Sequence, residues 1–539
     1  MIKQEILFDT IKTLLIKANT VLDKSVFECI EKNSTPCVIE EMGVQCHCEE
    51  CDSTTRQSTY TQNKVCKFGL PRSHTFARND MESVGRVVKH DKYLDSHADK
   101  LTNNDIEFIL QNAYLAKKNN RPLCQDTGQV LVFLKLPYSF SFGYDFKKVI
   151  NDAVEKTYEE EFYRKSVVKN SVFDRDNTGT NTPAIIYTDF ENRESVKIDV
   201  LIKGGGAENM SFVEMFNPTT SQEEIISFLS QKINERAKNA CPPLFIGIGA
   251  GGTMDYAAIL SKKALFEGIE NEFCKKVKEC CNKNNITSPL TPLLNEESGT
   301  EIITCHCERS EAIQENFKIL LSVKMLSSST HIASLPVAVT INCHSNRHSG
   351  CEIGKNGVIF NDVEYEISPV NIDLSNYKKI NTNNIEEIKK LKSGDKILLS
   401  GTIYAMRDAA HKKVFELIEK GLKLPFEIKN SAIFYAGPAP KKEGEVIGPI
   451  GPTTAKRMDK FAPKLYDLGC ILTIGKGERS NEVKDACKRN DAHYLSAFGG
   501  IACYLQKSFK KSELVAFEEL GTEAIRRFEI EDLPLTVEF

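Results

Sequence analysis

Two apolar segments of strand length each run into a cluster of glycines. The first, Val196-Lys-Ile-Asp-Val200, alternates with period two and leads to Lys203-Gly-Gly-Gly206. The second, Leu244-Phe-Ile-Gly-Ile-Gly-Ala-Gly-Gly252, reads as a buried strand ending in a glycine turn, and residues 255–265 then follow helical spacing. Glycine lets backbone N–H groups approach whatever occupies such a loop. Beyond residue 387 strands and helices alternate. Strand patterns at 396–404, 433–436 and 470–474 are interleaved with helix patterns at 410–419, 455–465 and 481–488, with Gly421 placed as a C-terminal cap. Alternation of this kind predicts a mainly parallel sheet flanked by helices. The expected fold class is α/β, with an N-terminal α/β domain over 1–355 and a smaller C-terminal α/β/α domain over 356–539. The boundary is put in the polar, Asn-rich stretch 351–387.

At ~100–200 residues per domain, 539 residues suggest two to four domains. A chain with 41% hydrophobic and 27% charged residues has a soluble globular composition. The net charge of -4 gives no electrostatic case for nucleic acid or an anionic membrane as partner. No apolar run reaches the ~20 residues of a membrane helix. The N-terminal stretch is interrupted by Lys3, Glu5, Asp9, Lys12 and Lys17, while Ile2, Ile6, Ile11, Leu14, Leu15 and Ala18 keep helical spacing. This predicts an amphipathic helix to about residue 33, not a signal peptide. A cytoplasmic location is expected. Disulfides are rare there, so the 18 cysteines are read as free thiols, metal ligands or incidental residues.

The densest cysteine cluster, Cys46, Cys48 and Cys51 with His47, has a counterpart in Cys305 and Cys307. Neither segment has an apolar frame or two matched ligand pairs, so incidental inserts near 37–94 and 285–316 are expected over a zinc site. Three isolated cysteines fall at strand ends instead. Cys124 lies in Arg121-Pro-Leu-Cys-Gln-Asp-Thr-Gly128, before the apolar run 130–136. Cys241 lies in Ala240-Cys-Pro-Pro243, and Cys343 closes an apolar strand that follows His331. A buried cysteine is ordinarily a small hydrophobe. Three thiolates from distant loops can also hold an iron–sulfur cube with one iron left open, and an open position suits a Lewis acid.

Nine ordered motifs give the chain a specific resemblance. Besides the segments around Cys124, Gly204 and Cys241 they are Asn177-Thr-Gly-Thr-Asn-Thr-Pro-Ala184, Thr330-His-Ile-Ala-Ser-Leu-Pro-Val-Ala-Val339, Gly401-Thr-Ile-Tyr-Ala-Met-Arg-Asp-Ala-Ala-His411, Tyr435-Ala-Gly-Pro438, Gly451-Pro-Thr-Thr-Ala-Lys-Arg-Met-Asp459 and Ile474-Gly-Lys-Gly-Glu-Arg-Ser480. The chain resembles the class I, iron–sulfur fumarate hydratases and the related L(+)-tartrate dehydratases, with the α- and β-type parts fused. The resemblance implies a [4Fe–4S] cluster on Cys124, Cys241 and Cys343. It implies substrate or catalytic roles for Gln125, Asp126, Arg164, Gly206, His331, Arg407, Thr453, Arg457 and Lys476, with Arg175 as the rival match for Arg164. The implied reaction interconverts (S)-malate with fumarate and water in a homodimer.

Those residue types suit that chemistry. A small dicarboxylate calls for cationic forks such as Arg407, Arg457 and Lys476, with Gln125 as an amide partner. Arg164 and the Gly206 backbone would complete the other end of the pocket. Asp126 and His331 are expected as a proton relay, and Thr453 as the base at the C–H carbon, activated by nearby cations. Alternatives are an L(+)-tartrate dehydratase, a zinc-binding regulator built on Cys46, Cys48, Cys51 and His47, and a nucleotide-binding enzyme. The last lacks a G-x-G-x-x-G turn after a strand. The inserts both resemble short peptides encoded by mobile palindromic elements, and the second interrupts the approach to His331.

Overall fold

The N-terminal apolar period folds as helix α1 (Gln4–Thr20), with Leu7, Ile11, Leu14, Leu15 and Ala18 all buried. It stops short of residue 33. Asn19 and Thr20 bond back to the carbonyls of Leu15 and Ile16, and Val21 is already extended. A computed structural model describes residues 2–24, 103–173, 175–237, 239–283, 320–361 and 365–539, which belong to one compact unit. The predicted inserts, with Cys46, His47, Cys48, Cys51, Cys305 and Cys307, lie outside the described residues.

After α2 (Asn103–Asn119), strands β1 (Gln129–Pro137), β2 (Ile185–Glu191) and β3 (Val196–Lys203) join two later strands, β8 (His348–Gly354) and β9 (Gly357–Phe360), in a five-stranded sheet of order β2-β1-β3-β8-β9. Alternate residues of β1 and β3, Val130, Val132, Val200 and Ile202, pack on α1 and α3 (Phe146–Glu160). Leu131, Phe133 and Leu201 point the other way, into a second core. A four-stranded sheet of order β4-β7-β5-β6 follows, from β4 (Phe212–Phe216), β5 (Leu244–Gly252), β6 (Leu320–Thr330) and β7 (Leu335–Asn342).

Helix α4 (Gly205–Glu208) is a single turn after β3. Helices α5 (Gln222–Ala237) and α7 (Glu272–Lys283) pack with β5 and β7 in one core. Helix α6 (Met254–Glu267) crosses β5 so closely that a Cβ on Gly247 or Gly249 would lie 2.0 Å from the Ser261 carbonyl or 2.1 Å from that of Ala257. The glycines predicted for a turn therefore serve helix packing as well.

In the C-terminal part, strands β10 (Lys378–Asn381), β11 (Lys396–Ala405), β12 (Ala432–Phe434), β13 (Leu472–Gly475) and β14 (His493–Ser496) are mutually parallel. They are interleaved with helices α8 (Ile385–Ile388), α9 (Asp408–Glu419), α10 (Ala462–Asp467) and α11 (Asn481–Arg489). Helix α12 (Ala502–Leu505) precedes β15 (Phe509–Ala516) and β16 (Ile525–Val537). The mainly parallel sheet expected is present, and it also closes on itself. Strand β16 runs antiparallel to β11, β14 and β15, so β11, β12, β13, β14 and β16 close into a ring.

The helix predicted at 455–465 is split into a 3₁₀ turn, Ala455–Met458, and α10. Pro463 takes a first-turn position of α10, where its missing N–H does no harm; inside a continuous helix it would break the ladder. One apolar cluster spans the boundary predicted at 355, joining Leu123, Phe133 and Phe245 to Ile397, Phe434 and Leu505.

His411 illustrates how tightly α9 is set. It is fully buried, stacked on Phe461 at 5.4 Å, and its Nδ1–H donates to the Arg407 carbonyl at 2.7 Å. Its Nε2 has no hydrogen-bond partner among the described residues. Burial lowers its pKa to about 4, against the opposing pull of the Arg407 carbonyl and Asp408. The unfolded chain takes up this proton near pH ~6.5 but the folded chain does not, so stability is full above that pH and falls as pH drops toward 4, by about 3 kcal/mol. His411→Asn should flatten that part of the acid slope in urea unfolding. Parallel curves for the two proteins would refute the assignment.

Candidate active site

Three chain segments bring thiols to one place. Cys241 precedes β5 and Cys343 follows β7. These strands are antiparallel neighbours, with Phe245 opposite Asn342 and the His344 N–H donating to the Cys241 carbonyl at 3.4 Å. Cys124, on the loop between α2 and β1, lies within electrostatic reach of both other thiols. Burial raises its pKa to about 11, with Arg347 opposing. Cys241 has φ 58, a left-handed conformation that is uncommon outside glycine and concentrates at functional sites. A Cβ on Gly499, after β14, would lie 2.4 Å from the Cys241 sulfur, so only glycine leaves that thiol its place.

Among the described residues no three His, Cys, Asp or Glu side chains converge on a point suited to a single ion. A cube asks for something else, since each thiolate binds its own iron and the three sulfurs stand apart. Three thiols on separate loops, with cations beside them and glycine opposite, fit that group.

The carboxyl ends of the parallel strands β11 to β14 supply the cations, as is usual for ligand sites in α/β sheets. Lys476, next after β13, donates from Nζ to the Cys241 sulfur at 2.6 Å and is within reach of Cys124 and Cys343. It is thus a neighbour of the thiols as much as a substrate cation. Its Nζ lies 3.3 Å from the Cβ position of Gly206. Thr453 is adjacent: its carbonyl accepts the Lys476 N–H at 3.1 Å, and its own N–H donates to the Tyr435 carbonyl at 2.7 Å.

Arg407, at the N-cap of α9, is paired with Glu523 at 3.1 Å. Burial and the neighbouring charges of Arg164 and Arg457 lower its pKa to about 10, with Glu523 and Asp408 opposing, so it remains a cation at neutral pH. Arg457 is exposed and pairs with Asp408 at 3.2 Å. Arg164 is buried, donates to the Gly437 carbonyl at 3.2 Å and pairs with Asp126 at 3.0 Å. Its rival Arg175 sits on an exposed turn and bonds to the Ser171 carbonyl at 2.7 Å. Gln125 is buried beside Cys124, its Oε1 2.5 Å from the Cβ position of Gly451.

Asp126 is held between cations and a backbone N–H. Burial alone would raise its pKa, but Arg164, Arg347 and the Gly205 N–H at 2.9 Å outweigh it and hold the carboxyl at about 2. At neutral pH it is an acceptor and a fixed anion. The chain does not bring His331 to it. His331 is exposed on the turn from β6 to β7, its Nδ1 accepting the Ala333 N–H at 3.1 Å. The turn lies at the opposite end of β7 from Cys343, roughly 25 Å away at ~3.3 Å per residue. Gly437, within the Tyr435–Pro438 motif, has its Cβ position 3.1 Å from Arg407. Sequence reasoning missed Arg347 and Gly499. Their only signal was proximity to recognised motifs.

A family model described as fumarate hydratase (Fumerase) matches residues 81–286 and 317–352, and one described as fumarase C-terminus matches 358–539. The class I, anaerobic fumarate hydratase of Escherichia coli (strain K12) is 30% identical, over 79% of this chain and 79% of its own length. The chain belongs to the class I fumarate hydratase family. Within that family, fumarate hydratase 2 of Leishmania major is 28% identical over 86% of this chain and 82% of its own length. A putative L(+)-tartrate dehydratase subunit alpha of Methanocaldococcus jannaschii is 31% identical over 46% of this chain and 84% of its own. No described helix of this fumarase-family chain is long and apolar enough to cross a membrane.

Proposed function

We propose that the chain is a cytoplasmic hydro-lyase that interconverts (S)-malate with fumarate and water, with a [4Fe–4S] cluster on Cys124, Cys241 and Cys343. The observation that carries this reading is that Lys476 touches Cys241, Arg164 pairs with Asp126 two residues from Cys124, and Arg407 lies near Arg164 and Arg457. Four cations gathered at one place suit a small dicarboxylate. When bound, the cluster supplies a Lewis-acidic iron that eases departure of the hydroxyl.

The chain's own residues do the rest. Arg407 and Arg457 grip one carboxylate, with Gln125 as amide partner. Arg164, steered by ionised Asp126, and the Gly206 backbone hold the other end. Thr453, whose backbone is bonded to that of Lys476, acts as the base at the C–H carbon. Asp126 accepts and holds charge near the leaving oxygen. His331 serves the site of a second copy in a homodimer, which reconciles its proposed role with its exposed turn.

The tartrate relative makes L(+)-tartrate dehydratase the second reading. Anaerobic steady-state kinetics with both substrates separates them. The proposal expects kcat/KM for malate to exceed that for L(+)-tartrate by at least tenfold; the reverse order would replace fumarase with tartrate dehydratase.

A further inference from the structure

Arg347, four residues after Cys343, is 3% exposed yet forms no ion pair with a carboxylate among the described residues. Its Nη1 donates to the Asp126 carbonyl at 2.6 Å and toward Asn19 Oδ1 at 3.4 Å. Its Nη2 lies 2.9 Å from the Cβ position of Gly204, so glycine at 204 is what admits the guanidinium. The side chain thus reaches from the residue before β8 across the glycine loop to the turn that carries Cys124, Gln125 and Asp126. The titratable groups whose charges would act on it are Cys124, Cys343 and Asp126, together with Tyr158. Asp126 spends its own ion pair on Arg164. A buried cation is expected to have an anionic partner, because leaving it uncompensated is destabilising by several kcal/mol.

We propose that Arg347 is the fixed counter-charge of the cluster and a positioning residue for the Cys124–Asp126 turn. This rests on the cluster assignment made above. A cube held by three thiolates is a net anion, and a fixed cation behind two of its ligands stabilises it, most of all in its more negative, reduced state. The same guanidinium pins the backbone from which Cys124 and Gln125 project. Because the same turn carries Gln125 and Asp126, the cluster's potential and iron retention, not turnover, are the readouts that isolate the counter-charge.

The test is an anaerobic redox titration of the cluster, followed by electron paramagnetic resonance, in the parent, Arg347→Gln and Arg347→Lys. Iron loss to a chelator is followed in the same three proteins. Gln keeps an N–H donor without the charge, whereas Lys keeps the charge. The expected result is a more negative midpoint potential and at least tenfold faster iron loss in Arg347→Gln, with Arg347→Lys keeping a potential close to the parent's. Arg347→Gln with the parent's potential and iron retention would overturn the proposal. Should the Gln variant not fold, Arg347→Lys decides: the parent's potential supports the counter-charge, and a clearly displaced one refutes it. A parent protein with no cluster overturns the cluster assignment and this inference together; a parent with a cluster and insensitive variants overturns this inference alone.

Discussion

Replacing Cys124, Cys241 or Cys343 by Ser is expected to lower malate dehydration by at least a thousandfold and to deplete iron and sulfide in the purified protein. A serine hydroxyl at neutral pH is a much poorer iron ligand than a thiolate, and two remaining thiolates do not hold a cube well. The three positions differ in how directly the fold enforces them. Cys343 directly follows β7, and Cys241 is held by its left-handed backbone and the bare face of Gly499. Cys124 rides on a loop whose neighbour Asp126 is tied to Arg164, Arg347 and Gly205. Cys124→Ser should therefore fold normally and fail only in cluster content. By contrast, Cys470 and Cys487 are buried in the core around Tyr466, and replacing either should leave iron content unchanged. Full iron in any one of the three Ser variants, with parent activity, would remove that residue from the ligand set.

Arg407→Ala is expected to lower kcat/KM for malate by about a hundredfold, with iron and sulfide at parent levels. Losing one partner of a desolvated charge pair typically costs 2–5 kcal/mol, and each ~1.4 kcal/mol is a decade of rate. Arg407 faces Arg164, Arg457, Glu523 and Asp408, not the thiols, so the cluster should be spared. Lys476 differs. Its ammonium touches the Cys241 sulfur, so Lys476→Ala should lower both turnover and cluster content. Thr453→Val should lower kcat with little change in KM, as expected for a group needed in the transition state and not for ground-state binding. Parent-like kcat/KM in Arg407→Ala would mean that the carboxylate binds elsewhere.

What the sequence disclosed, and what it hid, follows from range. Strand β3 running into Gly204–Gly206, β5 ending in glycine, and the alternation from β11 to α11 are local patterns with fixed periods, and they were legible. The closure of the last sheet was not, because it depends on Thr536 lying opposite Lys396, a pairing across the whole C-terminal part. Cys124, Cys241 and Cys343 stood out because each falls beside a strand within a specific motif. Arg347 did not. In sequence it follows His344, Ser345 and Asn346, a polar run that resembles surface, and only the fold buries it. His331 is the reverse case. Its motif is prominent, but the antiparallel course of β7 carries it to the opposite end from Cys343, and no local pattern reveals which end of a strand faces a site.

The most direct test of the central claim is iron and acid-labile sulfide per chain in protein purified without oxygen, measured alongside malate dehydration during controlled exposure to air. The account predicts about four of each per chain, activity lost as iron is lost, and both regained on anaerobic addition of ferrous iron and reductant. Malate dehydration by protein free of iron, or undiminished after exposure to air, would contradict it.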